Sequence, residues 1–236
     1  MKRGNIRRQA ARMRRDWDRR ARENARHYVD TARKEWSDEE FFAGGEKELQ
    51  EHVLNDLGNI CQGKDPKSMR VLEIGCGAGR ITRALARFFG EVYAVDISRH
   101  MVRQARQAVA EFPNAHIFCN NGRDLSVLRR RWWHRWGIGG RLQFDFAFSC
   151  LVFQHIPSRA VIESYLSAVN RLLRPGALFK FQVLGYSAKE PDVDDSWIGQ
   201  ALGAEDARQL AESSGFELRY QYGAGTQYYW LWFFKK

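Results

Sequence analysis

From Met69 to Phe234 short apolar runs alternate with amphipathic stretches of helical spacing, and this alternation constrains the fold more than any other feature of the chain. A strand, a helix and a further strand in succession form a crossover, and repeated crossovers build a parallel sheet with helices on its faces. The pattern predicts strands over 70–74, 91–95, 115–119, 144–149, 177–184, 216–222 and 227–234. Helices are predicted over 80–89, 99–111, 159–173 and 204–214. Only Gly223-Ala224-Gly225-Thr226 separates the last two strands, a connection too short for anything but an antiparallel pair. The expectation is an α/β fold whose seven-stranded sheet is mostly parallel, with one antiparallel strand near the carboxyl terminus.

Residues 1–66 follow a different pattern and are expected to form a helical arm or lid, leaving 67–236 as the α/β domain. The arm has no Pro or Gly over 7–34, and Ala10, Met13, Trp17, Ala21, Ala25, Tyr28 and Ala32 fall on one helical stripe. Ser37-Asp38-Glu39-Glu40 matches a capping box, and a second helix is predicted over 46–60, ending near Gly63 and Pro66. With 236 residues the chain suits one such domain plus attachments, given a usual domain size of roughly 100 to 200 residues.

The net charge of +10 is local. Residues 1–35 carry thirteen Lys and Arg against five Asp and Glu, and 123–141 carry six against one. These stretches suit either a solvated helix face or a surface for an anionic partner. The four cysteines, Cys61, Cys76, Cys119 and Cys150, show no metal or disulfide spacing. No apolar run approaches the roughly 20 residues that span a bilayer, so no membrane association is expected. The amino-terminal stretch lacks the apolar centre of a secretory signal and contains Asp16, Asp18 and Glu23, so a cytoplasmic location is expected.

The first predicted strand ends in Glu73-Ile74-Gly75 and runs through Cys76-Gly77-Ala78-Gly79 into a helix. Glycine removes the Cβ that would keep a ligand away from the backbone. The spacing is GxGxG, whereas a dinucleotide site has GxGxxG with a pyrophosphate on the helix terminus. Glu73, two positions before the first glycine, would repel a pyrophosphate but suits a ligand that carries an ammonium and a sulfonium. Asp96, twenty-one residues after Gly75, ends the second strand, where a carboxylate accepts hydrogen bonds from ribose hydroxyls. Ile97 is placed to lie against an adenine ring.

Beyond these residues, VLEIGCGAGRITRALA resembles motif I of the class I S-adenosylmethionine-dependent methyltransferases, a Rossmann-like three-layer family. VYAVDIS resembles their motif II, FCNNGRDL motif III, FDFAFSCLVFQHIP motif IV, and LLRPGALFKFQV the region before the fifth strand. The resemblance implies S-adenosyl-L-methionine as cofactor. It implies that Glu73 and the loop from Gly75 through Cys76 and Gly77 to Gly79 hold the methionine portion, and that Asp96 holds the ribose. It further implies adenine binding at Asn121, Gly122 and Arg123, with Ser149 and Cys150 beside the sulfonium.

Methyl transfer from a sulfonium is an in-line displacement that depends chiefly on alignment, so a base is optional. His155, just past the fourth strand, is the candidate base; where some family members have a second histidine, this chain has Gln154. Ser149-Cys150-Leu151-Val152 stands where methyltransferases of planar base or amide nitrogens carry a Pro-Pro tetrapeptide, so such acceptors are not expected. No metal is expected, because Asp145 has no acidic companion nearby. Tyr28, Trp36 and Phe41, with Phe42, are the candidates to roof the acceptor pocket, and Trp132, Trp133 and Trp136 are read as helix-docking residues. The expected function is methylation of oxygen or nitrogen on a small-molecule metabolite by a monomer or homodimer. The alternatives are an RNA or nucleoprotein methyltransferase that uses the basic arm and a non-catalytic cofactor-binding protein.

Overall fold

A strand covered on both faces needs apolar side chains at consecutive positions. The run at 144–149 meets that demand: in the computed structural model of the chain, β4 (Phe144–Ser149) is buried at every position. The structure describes residues 2–128, 142–187 and 196–236, with side chains from residue 6 onward. The stretch holding Trp132, Trp133 and Trp136 lies outside the described residues.

β4 stands at the middle of a seven-stranded sheet with β1 (Arg70–Ile74), β2 (Glu91–Asp96), β3 (Ala115–Cys119), β5 (Leu173–Val183), β6 (Phe216–Tyr222) and β7 (Tyr229–Lys235). The spatial order is β3-β2-β1-β4-β5-β7-β6. All pairs from β3 to β5 are parallel, and β7 runs antiparallel to both β5 and β6, as the short last connection requires. β5 begins four residues earlier than the apolar run at 177–184 indicates. A register shift between Phe144 and Phe146 takes up the irregular Pro175-Gly176 start of that strand.

Among the described residues the α-helices, in chain order, are α1 (Lys2–Val29), α2 (Asp38–His52), α3 (Leu57–Cys61), α4 (Arg80–Phe88), α5 (Arg99–Ala108), α6 (Arg159–Leu172) and α7 (Ala204–Ser213). α1 departs from the uninterrupted helix expected over 7–34. Asn24 leaves the helical region (φ −166°, ψ 88°), and its Oδ1 accepts the His27 amide at 3.2 Å, so it caps a new turn inside the arm. The arm then stops at Val29, and Asp30 turns inward to meet the Arg80 guanidinium at 3.1 Å.

α2 starts at the Ser37 capping box rather than at residue 46. Gly44 and Gly45 look like helix breakers but lie inside α2, because it crosses α4 at backbone contact: a Cβ on Gly45 would sit 2.2 Å from the Arg80 carbonyl oxygen. β1 is flanked by β2 on one side and β4 on the other, so the crossovers diverge at its carboxyl end and open a crevice there. Ala10, Met13, Ala21 and Ala25 of α1 bury their stripe across that opening. Among the described residues, no helix is long and apolar enough to cross a membrane.

Candidate cofactor and acceptor site

Gly75, Gly77 and Gly79 follow β1 with φ of 77°, 52° and 90°. The first two are required by space as well as by conformation. A Cβ on Gly75 would lie 2.2 Å from Val152 Cγ2, and one on Gly77 would lie 2.6 Å from Val29 Cγ2. The loop is pinned to β2: the amides of Gly75 and Cys76 donate to the Val95 carbonyl at 2.7 and 3.1 Å, and the Gly77 amide donates to Asp96 Oδ2 at 3.0 Å. Asp96 Oδ1 accepts the Ser98 amide at 2.8 Å, and Ser98 caps α5 through the Met101 amide. Gly79 turns away from the crevice and lets α4 approach α5, since a Cβ there would meet Ala105 Cα at 2.9 Å.

Two buried carboxylates face the crevice. Glu73 Oε2 accepts from Thr82 Oγ1 at 2.5 Å, and among the described residues Glu73 makes no ion pair. Burial pushes its carboxyl up to about 7 against the pull of the Thr82 bond, and the nearby Asp96 charge adds to the rise. Burial likewise raises Asp96 to about 6, opposed by the Ser98 and Gly77 amides. The Arg80 charge only partly offsets this for Glu73, and buried carboxyls of this kind are placed to receive a cation from a ligand.

The cavity over this loop is lined by Glu73, Gly75, Cys76, Gly77, Asp96, Ile97 and Asn120, with Met13, Trp17, Tyr28 and Val29 of the arm as its roof. The arm is held down by Arg14, which donates to the Asn120 carbonyl at 2.5 Å, and by Asp18, which accepts from Ser98 Oγ at 2.7 Å.

Several expected positions are rearranged. Asn121 does not face the cavity: its Oδ1 accepts the Arg123 and Asp124 amides at 2.8 and 2.9 Å, closing a local turn, and its neighbour Asn120 takes the facing position. Gly122 packs behind Ile97, where a Cβ would lie 2.4 Å from Ile97 Cδ1, and Arg123 is likewise absent from the lining. Ser149 is buried and donates to the Ile74 carbonyl at 2.8 Å, tying β4 to β1. Trp36 and Phe41 do not roof the site. Phe41 is buried against Trp36 and Phe42, and the Trp36 indole donates to the Asp30 carbonyl at 3.1 Å.

Tyr28 alone of that trio reaches the cavity, joined by Trp17 and Met13. The spacing of Met13 and Trp17 puts them on the stripe that faces inward, but a stripe does not reveal that its target is a cavity rather than core. Asp145 is remote from the loop chemistry: it accepts the Arg70 amide at 2.9 Å and pairs with Lys64 and Arg174.

A second, open groove adjoins the first. Tyr28, Val29, Cys150, Leu151 and His155 line both. His155 Nδ1 lies 2.5 Å from the Trp197 carbonyl, and its ring packs between Trp17 and Trp197 at centroid distances of 5.1 and 5.0 Å. Leu151, beside it, holds φ of 57°, an unusual state for a branched side chain and a mark of a site whose surroundings enforce it. In the groove Glu48, His52 and Cys150 bring ligand atoms within 4.8 Å of one another. His52 Nε2 lies 3.1 Å from Glu48 Oε2, and burial, reinforced by the Glu48 charge, pushes the Cys150 thiol well up.

This parallel sheet with a reversed seventh strand, a glycine loop after β1 and an acidic residue closing β2 together define a methyltransferase fold of the Rossmann-like kind. A family profile described as "Methyltransferase domain" matches residues 72–179. The ubiquinone biosynthesis O-methyltransferase of Alkalilimnicola ehrlichii is 29% identical over 161 residues, 68% of this chain and 55% of that protein. The malonyl-[acyl-carrier protein] O-methyltransferase of Salmonella typhimurium is 30% identical over 149 residues, 63% of this chain and 51% of that one. The chain thus spans about half the length of the curated relatives it matches. In three dimensions it superposes on the magnesium protoporphyrin IX methyltransferase of Synechocystis PCC 6803 with a TM-score of 0.64 at 17% identity, covering 94% of this chain and 98% of the other. The chain therefore carries a methyltransferase domain of the S-adenosylmethionine-dependent kind, whose cofactor is S-adenosyl-L-methionine. The residues fit that group: Glu73, Gly75, Cys76, Gly77 and Asp96 line one cavity, where the buried Glu73 carboxyl suits a positive charge and Asp96 can accept from hydroxyls.

Proposed function

We propose that the protein methylates oxygen or nitrogen of a small molecule that enters by the open groove. The observation that carries this reading is the junction of the two cavities at Tyr28, Val29, Cys150, Leu151 and His155, where a cofactor held on the glycine loop would meet an acceptor. The cofactor supplies an electrophilic methyl group whose sulfur departs neutral. Glu73 with the backbone of Gly75, Cys76 and Gly77 holds the methionine end, Asp96 holds the ribose, and Ile97 with Asn120 contacts the adenine. Residues 1–66 serve as the lid, with Trp17 and Tyr28 excluding water from the junction, which favours an aligned displacement. His155 Nε2 takes the acceptor's proton where the acceptor has one to lose.

The test is incubation with labelled S-adenosylmethionine and a metabolite extract, followed by identification of the mass that gains a methyl group. Label confined to RNA overturns the reading. One observation favours that second possibility. Arg8, Arg15, Arg19 and Arg22 are exposed on one face of α1, while Asp16 and Asp18 point inward to Ser196 and Ser98. A phosphate-tracking surface would show RNA binding that weakens steeply between two salt concentrations.

A further inference from the structure

The acceptor groove is negative, in a chain whose net charge is +10. Asp30, Glu48 and Glu51 line it. Among the described residues, the cations around it are already engaged. Lys180 is bound to Asp56 at 2.8 Å, and that carboxylate also takes the Trp232 indole at 2.6 Å. Arg80 serves Asp30 and Glu48 together, at 3.1 and 3.6 Å, so one guanidinium faces two carboxylates. Glu51 is exposed and makes no ion pair among the described residues. Burial works against the charge of Glu48, but the His52 bond and the Arg80 charge hold its carboxyl below the ordinary value, so it is an anion at neutral pH.

The walls of the groove are aromatic. Tyr186, Tyr222 and Tyr228, which are 59%, 74% and 52% exposed, all border it, with Trp197 and Trp230 below them. Exposed rings of this size are costly to leave in water and mark a contact surface. Ring faces attract a cation through their quadrupole, and a carboxylate beside them adds a charge-assisted hydrogen bond. A carboxylate or phosphate ligand would meet the same groups as repulsion.

We propose that the acceptor is an amine, protonated in solution and carried on an aromatic or alicyclic body, and that the groove rejects acceptors bearing a carboxylate or phosphate in its place. This rests on the methyltransferase reading. The ammonium gives one proton to His155 Nε2, replacing the long contact of 3.2 Å from Gln154. The freed nitrogen pair forms the N–C bond to the methyl group as the C–S bond breaks and its pair remains on sulfur. The products are a methylated ammonium and a neutral thioether, and the imidazolium returns its proton to solvent.

Two matched probe pairs test this with the full chain saturated in S-adenosylhomocysteine. They are tyramine against 3-(4-hydroxyphenyl)propionate, and 2-cyclohexylethylamine against 3-cyclohexylpropionate, followed by tryptophan fluorescence. Each amine is expected to bind at least about tenfold tighter than its acid, and Glu51→Gln to narrow that ratio at least about threefold. Acids that bind as well as the amines, pairs that show no preference, or a ratio indifferent to Glu51→Gln overturn the proposal. Calorimetry with S-adenosylhomocysteine alone separates the two levels. Absent heat rejects the cofactor site itself, whereas normal heat with no amine preference rejects only the acceptor class.

Discussion

The Gly77 amide donates to Oδ2 of Asp96 at 3.0 Å, so the carboxylate that closes β2 also braces the glycine loop after β1. Asp96→Ala removes this brace and the proposed ribose acceptor at one stroke. Calorimetry should show cofactor affinity reduced by at least about tenfold, the cost of a lost charged hydrogen-bond partner. Asp96→Asn keeps one oxygen able to accept from Gly77 and should fall between the two. An Asp96→Ala protein that binds S-adenosylmethionine normally would count against the assignment of the site.

Stability and binding should respond oppositely to pH. Burial raises the Glu73 and Asp96 carboxyls to about 7 and about 6, above their values in the unfolded chain. Both therefore hold protons more tightly when folded. Their contribution to stability is complete at acid pH below the unfolded values and is lost as pH rises through about 6 and then about 7. Between pH 5 and 8 the cofactor-free protein should lose about 5 °C in Tm, and Glu73→Gln should remove the upper part of that loss. Cofactor charge favours the ionised carboxylates, so affinity should rise over the same window with release of protons. Melting curves with and without S-adenosylmethionine check both signs; parallel pH profiles would refute the linkage.

Two glycines separate a requirement of the site from one of the fold. Gly75→Ala forces an L residue to φ 77° with Cβ 2.2 Å from Val152, at a cost of roughly 1–3 kcal/mol, and should abolish tight cofactor binding. Gly45→Ala places Cβ 2.2 Å from the Arg80 backbone oxygen, which cannot yield without separating α2 from α4. Urea unfolding should show a loss of about 2 to 4 kcal/mol. The surviving folded fraction of the second variant should still bind cofactor.

Gly45 also shows where sequence reasoning stops. Local propensity treats a Gly pair as a helix end, yet the pair sits inside α2 because a partner helix approaches, and a partner is a tertiary fact. The same division runs through the site. Gly75, Gly77 and Asp96 meet at one cavity, as their spacing in one strand-turn-helix unit and the following strand leads one to expect. Asn120 rather than Asn121 lines the cavity because adjacent residues at a strand end point in different directions, and the turn closed by Asn121 decides which faces it. Trp17 and Trp197 meet at His155 from segments far apart in the chain, so no local pattern announces them. Asn24 fell inside a helical stripe whose periodicity hid a cap.

The proton on His155 is fixed by a backbone amide three residues of network away. Leu151 N–H donates to Gln182 Oε1 at 3.1 Å, which leaves Gln182 Nε2 to donate to Gln154 Oε1 at 3.1 Å. Gln154 Nε2 is then the donor toward His155 Nε2 at 3.2 Å, so that nitrogen carries the lone pair and Nδ1–H donates to the Trp197 carbonyl. Gln182 is fully buried and Gln154 nearly so, which protects the order of donors from water. Gln154→Glu keeps the shape but offers only acceptors, so Nε2 must take a proton while Nδ1 still faces a carbonyl. The ring is then driven toward imidazolium. Nitrogen-15 spectra of histidine-labelled protein should show the neutral Nδ1–H form at His155 in the wild type and the charged form in Gln154→Glu at pH 7. Methyl transfer should slow, with its pH profile displaced upward by about one unit. A wild-type His155 protonated on Nε2 would remove it as the base and leave alignment alone to account for the reaction.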